Sequence, residues 1–106
     1  MSFLDDRACL SGKVAAVVGG GSGIGAAVSL GLARAGVDVA ILDINAGAVP
    51  ATVQQAQATG RRAIGTVGDA CDLSTLESFY RSAEASLGRL DILVNVAGRT
   101  VPKKFM

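Results

Sequence analysis

Apolar residues are not spread evenly along this chain. They crowd into four short runs, residues 13–18, 37–42, 62–67 and 90–94, each rich in Val, Ile and Leu and nearly continuous in apolarity. A strand buried on both faces reads this way, because neither face calls for polar side chains. Three segments of helical spacing separate the runs. The first, residues 24–35, sets Ile24, Ala27, Val28 and Leu32 on one stripe, with Gly36 available as a left-handed cap. The second, residues 46–59, is less regular; Asn45 can cap it, Pro50 falls near its first turn and Gly60 closes it. The third carries Leu76, Phe79, Tyr80, Ala83 and Leu87 on one face until Gly88, and Ser74 with Glu77 has capping-box spacing.

Strands alternating with helices of this length predict right-handed crossovers and a parallel sheet. The expected architecture is α/β: a Rossmann-like doubly wound parallel sheet, present as a half fold with strand order 3-2-1-4. In that order the fourth strand is an edge, although DILVNVA (residues 91–97) reads as an interior strand. Its free side would favour aggregation, an oligomer, or pairing with another chain. The 106 residues fit one domain, with residues 1–12 as an N-terminal extension and 99–106 as a tail.

Composition removes several classes of function. Half of the residues are apolar and 18% are charged, so the chain forms a core. A net charge of +1, with no basic cluster beyond Lys103-Lys104, favours neither nucleic acid nor an anionic membrane surface. No apolar run is long enough to span a bilayer. Asp5, Asp6 and Arg7 stand where a signal peptide needs apolar residues, so a cytoplasmic location is expected. Cys9 and Cys71 are too few for a metal knuckle or disulfide framework and read as small buried hydrophobes. With no histidine in the chain, it can build neither a Ser-His-Asp triad nor a His-ligated metal site.

The chemistry is concentrated in VVGGGSGIGAA, where five of the seven positions 19–25 are Gly. The stretch leaves a strand and opens a helix, whose free N–H groups and positive dipole end can neutralise a diphosphate. Gly19 permits a tight exit from the strand, and Gly23 and Gly25 let the backbone approach phosphates. Gly25 or Ala26 also lets the helix pack closely. Asp43 ends the second strand about 20 residues on, where the dinucleotide fingerprint places a carboxylate against the ribose hydroxyls. Its charge repels a 2′-phosphate, and the neighbouring Ser22 and Ile44 are neutral, so NAD is expected over NADP. The plainer alternatives are a structural glycine turn and a solvated Asp at a strand end. A Walker A loop is excluded, since Ala26 and Ala27 follow Gly25 in place of Lys and a hydroxyl residue.

These residues make the chain similar to the N-terminal half of the short-chain dehydrogenase/reductase family, from about Lys13 to Gly98. Val18-Gly19-Gly20-Gly21-Ser22-Gly23-Ile24-Gly25 resembles the family's Thr-Gly-x3-Gly-x-Gly turn, with Val18 in place of Thr. Asp69-Ala70 follows the third strand, where the resemblance implies a hold on the adenine. Asn95-Val96-Ala97-Gly98 resembles the family's Asn-Asn-Ala-Gly signature, with Val96 at the second Asn. The resemblance further implies Ile24 near the nicotinamide end, Ala97 and Gly98 close to its ribose, and Asn95 tying the fourth strand to its neighbours. Asp69 also reads as a plain turn residue, and Asp72 as structural at the start of the third helix.

The resemblance implies an oxidoreductase that moves hydride between a nicotinamide dinucleotide and an alcohol or carbonyl substrate. The family's catalytic Ser, Tyr and Lys, the Lys four positions after the Tyr, have no counterpart here. Tyr80 is followed four places on by Glu84, and it lies on an apolar helix face as core. No catalytic residue is therefore assigned within these residues, and a small alcohol or carbonyl substrate is expected only with the remaining half of such an enzyme. The alternative is a non-catalytic nucleotide-binding or interaction module. A methyltransferase with a related glycine turn is disfavoured by Asn95-Val96-Ala97-Gly98, which that fold does not require.

Overall fold

The computed structural model describes residues 10–96. They run β1 (Val14–Val18), α1 (Gly23–Arg34), β2 (Asp38–Asp43), α2 (Ala48–Gln57), β3 (Ala63–Val67), α3 (Leu73–Leu87) and β4 (Ile92–Asn95). The sheet has the order β3-β2-β1-β4 and every pairing is parallel. Val17 is in register with Ile41 on one side and Val94 on the other, so the strands end at one common level. Element type and order follow the hydrophobic pattern, with boundaries displaced by a residue or two.

All five residues of β1 are buried, as are the first five of β2. Period-two geometry divides them between two layers. Val14, Ala16 and Val18 of β1 and Ala40 and Leu42 of β2 face α3, where they meet Leu76, Phe79, Ala83 and Leu87. Ala15, Val39 and Ile41 face the opposite layer, with Ala33 of α1 and Ala56 of α2. Full burial of a side chain such as Phe79 or Leu42 contributes roughly 1.5–3 kcal/mol, so these two layers carry the fold. β4 differs: Leu93 is 51% exposed, and among the described residues β4 is an edge.

Two local expectations are corrected. The buried stripe of α1 is Gly25, Ser29 and Ala33, whereas Ile24 is 75% exposed and Ala27 is exposed. Val28 and Leu32 are half-buried. Close approach of the helix to β1 admits only small side chains on the contact line, and that turns the larger apolar ones aside. The cap of α3 is Asp72 rather than Ser74: its carboxylate accepts from the Ser74 and Thr75 N–H groups, and Ser74 already lies inside the helix. Gly47, which has no side chain to offer, flanks the start of α2, and Asn45 two residues earlier supplies the acceptor, its Oδ1 taking the N–H groups of Gly47 and Ala48. Gly36, Gly60 and Gly88 follow their helices with positive φ, as a left-handed stop requires. Cys71 is exposed in the turn before α3, against the expectation of burial, and Cys9 lies outside the described residues.

At the opposite end of the sheet, Asp38 is a buried carboxylate at the start of β2. Arg62 donates to it through Nε and Nη2 at 3.0 and 2.8 Å, and the Arg62 backbone N–H adds a bond at 2.9 Å. The same guanidinium reaches the Leu87 carbonyl, joining the sheet to the end of α3. Among the described residues, no helix is long and apolar enough to cross a membrane.

Candidate functional site

The glycine turn hangs from β2. Gly19 takes φ +84°, a conformation that side-chain-bearing residues rarely adopt, and its N–H donates to the Leu42 carbonyl, followed by that of Gly20. A Cβ on Gly25 would land on the Gly19 carbonyl oxygen. Gly25 therefore serves close packing of α1 against the strand exit. Gly23 is the opposite case: φ is +57° and a Cβ would meet nothing within 4 Å. Its Cα faces open space at the head of α1, where Ser22, Gly23 and Ile24 are all exposed.

Three side chains from three elements hold this turn. Asp43 Oδ2 accepts from the Gly21 N–H at 2.9 Å, while Oδ1 accepts from the Asn45 N–H at 3.1 Å. The Ser29 hydroxyl lies 2.9 Å from the Gly25 carbonyl and 3.3 Å from that of Gly20. The Thr52 hydroxyl donates to the Gly21 carbonyl at 2.8 Å. Neither Ser29 nor Thr52 was anticipated from the sequence. The available signal was a polar residue on each buried stripe, Gly25-Ser29-Ala33 and Val49-Thr52-Ala56. A buried hydroxyl needs a partner: Thr52 finds it in the Gly21 carbonyl of the turn, and Ser29 in the Gly25 carbonyl of its own helix and, at longer range, that of Gly20. Val18, standing where the resemblance implies Thr, is buried against the α3 layer.

The third strand delivers its own turn to the same place. Gly68 N–H donates to the Asp43 carbonyl at 3.0 Å, which sets Asp69 and Ala70 beside the end of β2. Asp69 is exposed, and its Oδ1 accepts from the Cys71 N–H at 2.8 Å. Asp72 is committed to α3: the Ser74 hydroxyl, then the Thr75 and Ser74 N–H groups, hold its carboxyl below the usual carboxylate range. Asn95 sits in register with Val18, at the foot of the glycine turn, and the following Val96 N–H bonds the Val18 carbonyl. Ala97 and Gly98 lie outside the described residues. Gly19, Gly21, Ser22, Gly23, Ile24, Gly25, Asp43, Asp69, Ala70 and Asn95 thus share one edge of the sheet, at the C-terminal ends of its strands.

Tyr80 stands apart from that edge. It is half-buried against Phe79, with ring centroids 5.6 Å apart, and burial pushes its phenol pKa up. This is a core residue, as its position on the apolar face of α3 implies.

The strand order reverses at β1, and the crevice outside such a reversal is where open α/β sheets bind ligands. The helix head brings N–H groups with no intrahelical partner, and α1 carries no acidic residue in its first turn. The free N–H groups and positive dipole end of α1 therefore lie beside the Asp43 carboxylate, which holds the turn. Comparison with known proteins agrees with the architecture. The family model for short chain dehydrogenase matches residues 13–106. The chain belongs to the short-chain dehydrogenase family. It is 38% identical over 103 residues to the 7alpha-hydroxysteroid dehydrogenase of Escherichia coli K12, covering 97% of this chain and 40% of that enzyme. A crystal structure of hydroxysteroid dehydrogenase from Escherichia coli superposes with a TM-score of 0.79 at 36% identity, over 86% of this chain and 39% of the other. Carveol dehydrogenase from Mycobacterium avium, solved in complex with NAD, gives a TM-score of 0.80 at 30% identity, over 83% and 36%. The chain spans about two fifths of the length of these relatives.

Proposed function

We propose that these residues form the cofactor-binding portion of an NAD-dependent oxidoreductase acting on an alcohol or carbonyl substrate. The observation that carries this reading is the junction of the glycine turn with Asp43. One carboxylate oxygen holds the Gly21 N–H, beside a helix head where Gly23 leaves room for a ligand. The N–H groups of Ser22, Gly23 and Ile24 would meet the pyrophosphate. Asp43 would accept from the adenosine ribose hydroxyls with the lone pairs left over from Gly21 and Asn45. A 2′-phosphate there would meet the carboxylate with no basic side chain at Ser22 or Ile44, so NAD is preferred to NADP. Asp69 and Ala70 would border the adenine, and Asn95, Ala97 and Gly98 the nicotinamide side. The nicotinamide supplies hydride chemistry when bound; the groups that exchange a proton with substrate lie outside these 106 residues. A carveol dehydrogenase relative bound to NAD supports the cofactor assignment.

The test is a fluorescence titration of the protein with NADH and NADPH. Saturable NADH binding, tighter than NADPH, is expected; saturable binding of neither overturns the reading. We further propose that the 106-residue chain made alone associates through β4, whose Leu93 is half-exposed on an edge strand. Sedimentation as a monodisperse monomer that melts cooperatively would contradict this.

A further inference from the structure

Thr52 lies on the buried face of α2 and is only 4% exposed. A helical Thr usually bonds back to the carbonyl one turn earlier in its own helix. Here the hydroxyl instead crosses to a different segment and donates to the Gly21 carbonyl, 31 residues away in sequence, at 2.8 Å. Gly21 is thereby fixed on both sides, its N–H by Asp43 and its C=O by Thr52. A trans peptide bond points its C=O and N–H in opposite directions, and the described residues contain no cis bond. Holding the Gly21 carbonyl inward against α2 therefore turns the Ser22 N–H outward. That is the side on which Ser22 and Gly23 are exposed.

We infer that Thr52 is a positioning residue for the dinucleotide: its buried hydroxyl sets the Gly21–Ser22 peptide so that the turn presents an N–H to the pyrophosphate. This rests on the cofactor reading above and deepens it. Without the hydroxyl, the Gly21 carbonyl loses its inward partner and the peptide can rotate away from the ligand-facing orientation. The effect belongs to the phosphate end of the ligand. Asp43 and the Asp69 turn, which would face adenosine, are held by other bonds.

The experiment compares wild type, Thr52→Val and Thr52→Ser in the protein carrying this chain at its natural length, titrating each with ADP and with adenosine by calorimetry. Thr52→Val is expected to weaken ADP about tenfold, the worth of one ordinary hydrogen bond. Adenosine affinity should stay unchanged, and Thr52→Ser should restore ADP binding. Unchanged ADP affinity in Thr52→Val overturns the inference, as does a parallel loss for adenosine or a failure of Ser to rescue. If Thr52→Val does not melt cooperatively, Thr52→Ala is judged by the same ADP-to-adenosine comparison. A wild type that binds neither ligand defeats the cofactor reading and this inference together, whereas a wild type that binds both isolates Thr52.

Discussion

Two turns meet at the same edge of the sheet and are held in opposite ways. The glycine turn after β1 is braced from far along the chain, by Asp43 22 residues from its Gly21 partner and by Thr52 31 residues away. The turn between β3 and α3 is held mainly by its own residues: Asp69 caps Cys71, and Asp72 caps Ser74 and Thr75, over separations of two and three. The first therefore exists only once β1, β2 and α2 are assembled. The second can form locally, as Asx turns and helix caps do. A binding surface made of backbone N–H groups needs the first arrangement, because bare peptide has no side chains of its own with which to hold a shape.

The sharpest test of this contrast is Gly25→Ala. A Cβ there meets the Gly19 carbonyl oxygen and the Gly20 Cα, both backbone, so neither can step aside as a flexible side chain would. We expect destabilisation of roughly 3 kcal/mol or more, read as a collapse of the thermal midpoint and loss of NADH binding. Gly23→Ala is the internal comparison. Its Cβ enters open space and its cost comes from φ +57° alone, so the fold should survive at about 1 kcal/mol. If the two variants melt alike, the claim that Gly25 serves packing and Gly23 serves access fails.

Next in size is Asp43→Ala. It strips the acceptor from the Gly21 and Asn45 N–H groups together, so the turn and the ribose site should loosen at once. NADH affinity should fall tenfold or more, on the order expected for a charged hydrogen-bond partner. The NADH preference over NADPH should also narrow, because the repelling carboxylate is gone. Retention of the full preference in parallel titrations would separate Asp43 from cofactor choice.

The same contrast explains what was legible in the sequence. Strand runs, helix stops at Gly36, Gly60 and Gly88, and the strand order follow from local pattern and general connection rules, and all appear in the structure. The glycine turn and Asp43 could be paired because their spacing is itself a sequence feature. The hydroxyl partners could not: nothing local distinguishes Thr52, which bonds the remote Gly21 carbonyl, from Ser29, whose shorter bond goes to Gly25 in its own helix. Ile24 falls off the buried stripe for a related reason. The helical period marks several apolar positions, and only the distance between helix and sheet decides that Gly25, Ser29 and Ala33 face inward. Ser74 and Asp72 are both good capping types two residues apart; the extended backbone at Asp72, φ −93° and ψ 114°, makes it the cap, while Ser74 is already helical.

The smallest effect should come from the self-contained turn, and it should appear as a pH dependence. The Ser74 hydroxyl and two backbone N–H groups favour the ionised form of Asp72, so its pKa is lower in the folded state than in the unfolded chain. The folded state then binds fewer protons than the unfolded state as pH drops through the carboxylate range. The stabilisation is fully present above the unfolded pKa and disappears as pH falls through the folded one. Asp72→Asn keeps an acceptor for the N–H groups of α3 but cannot titrate. It should leave the neutral-pH thermal midpoint nearly unchanged and shrink the loss between neutral pH and about pH 3. Because Asp72 is exposed and its bonds are local, cofactor affinity should not move. An Asp72→Asn variant that weakens NADH as Asp43→Ala does would mean that the acidic turn is mechanically joined to the glycine turn, and that the two are not held independently.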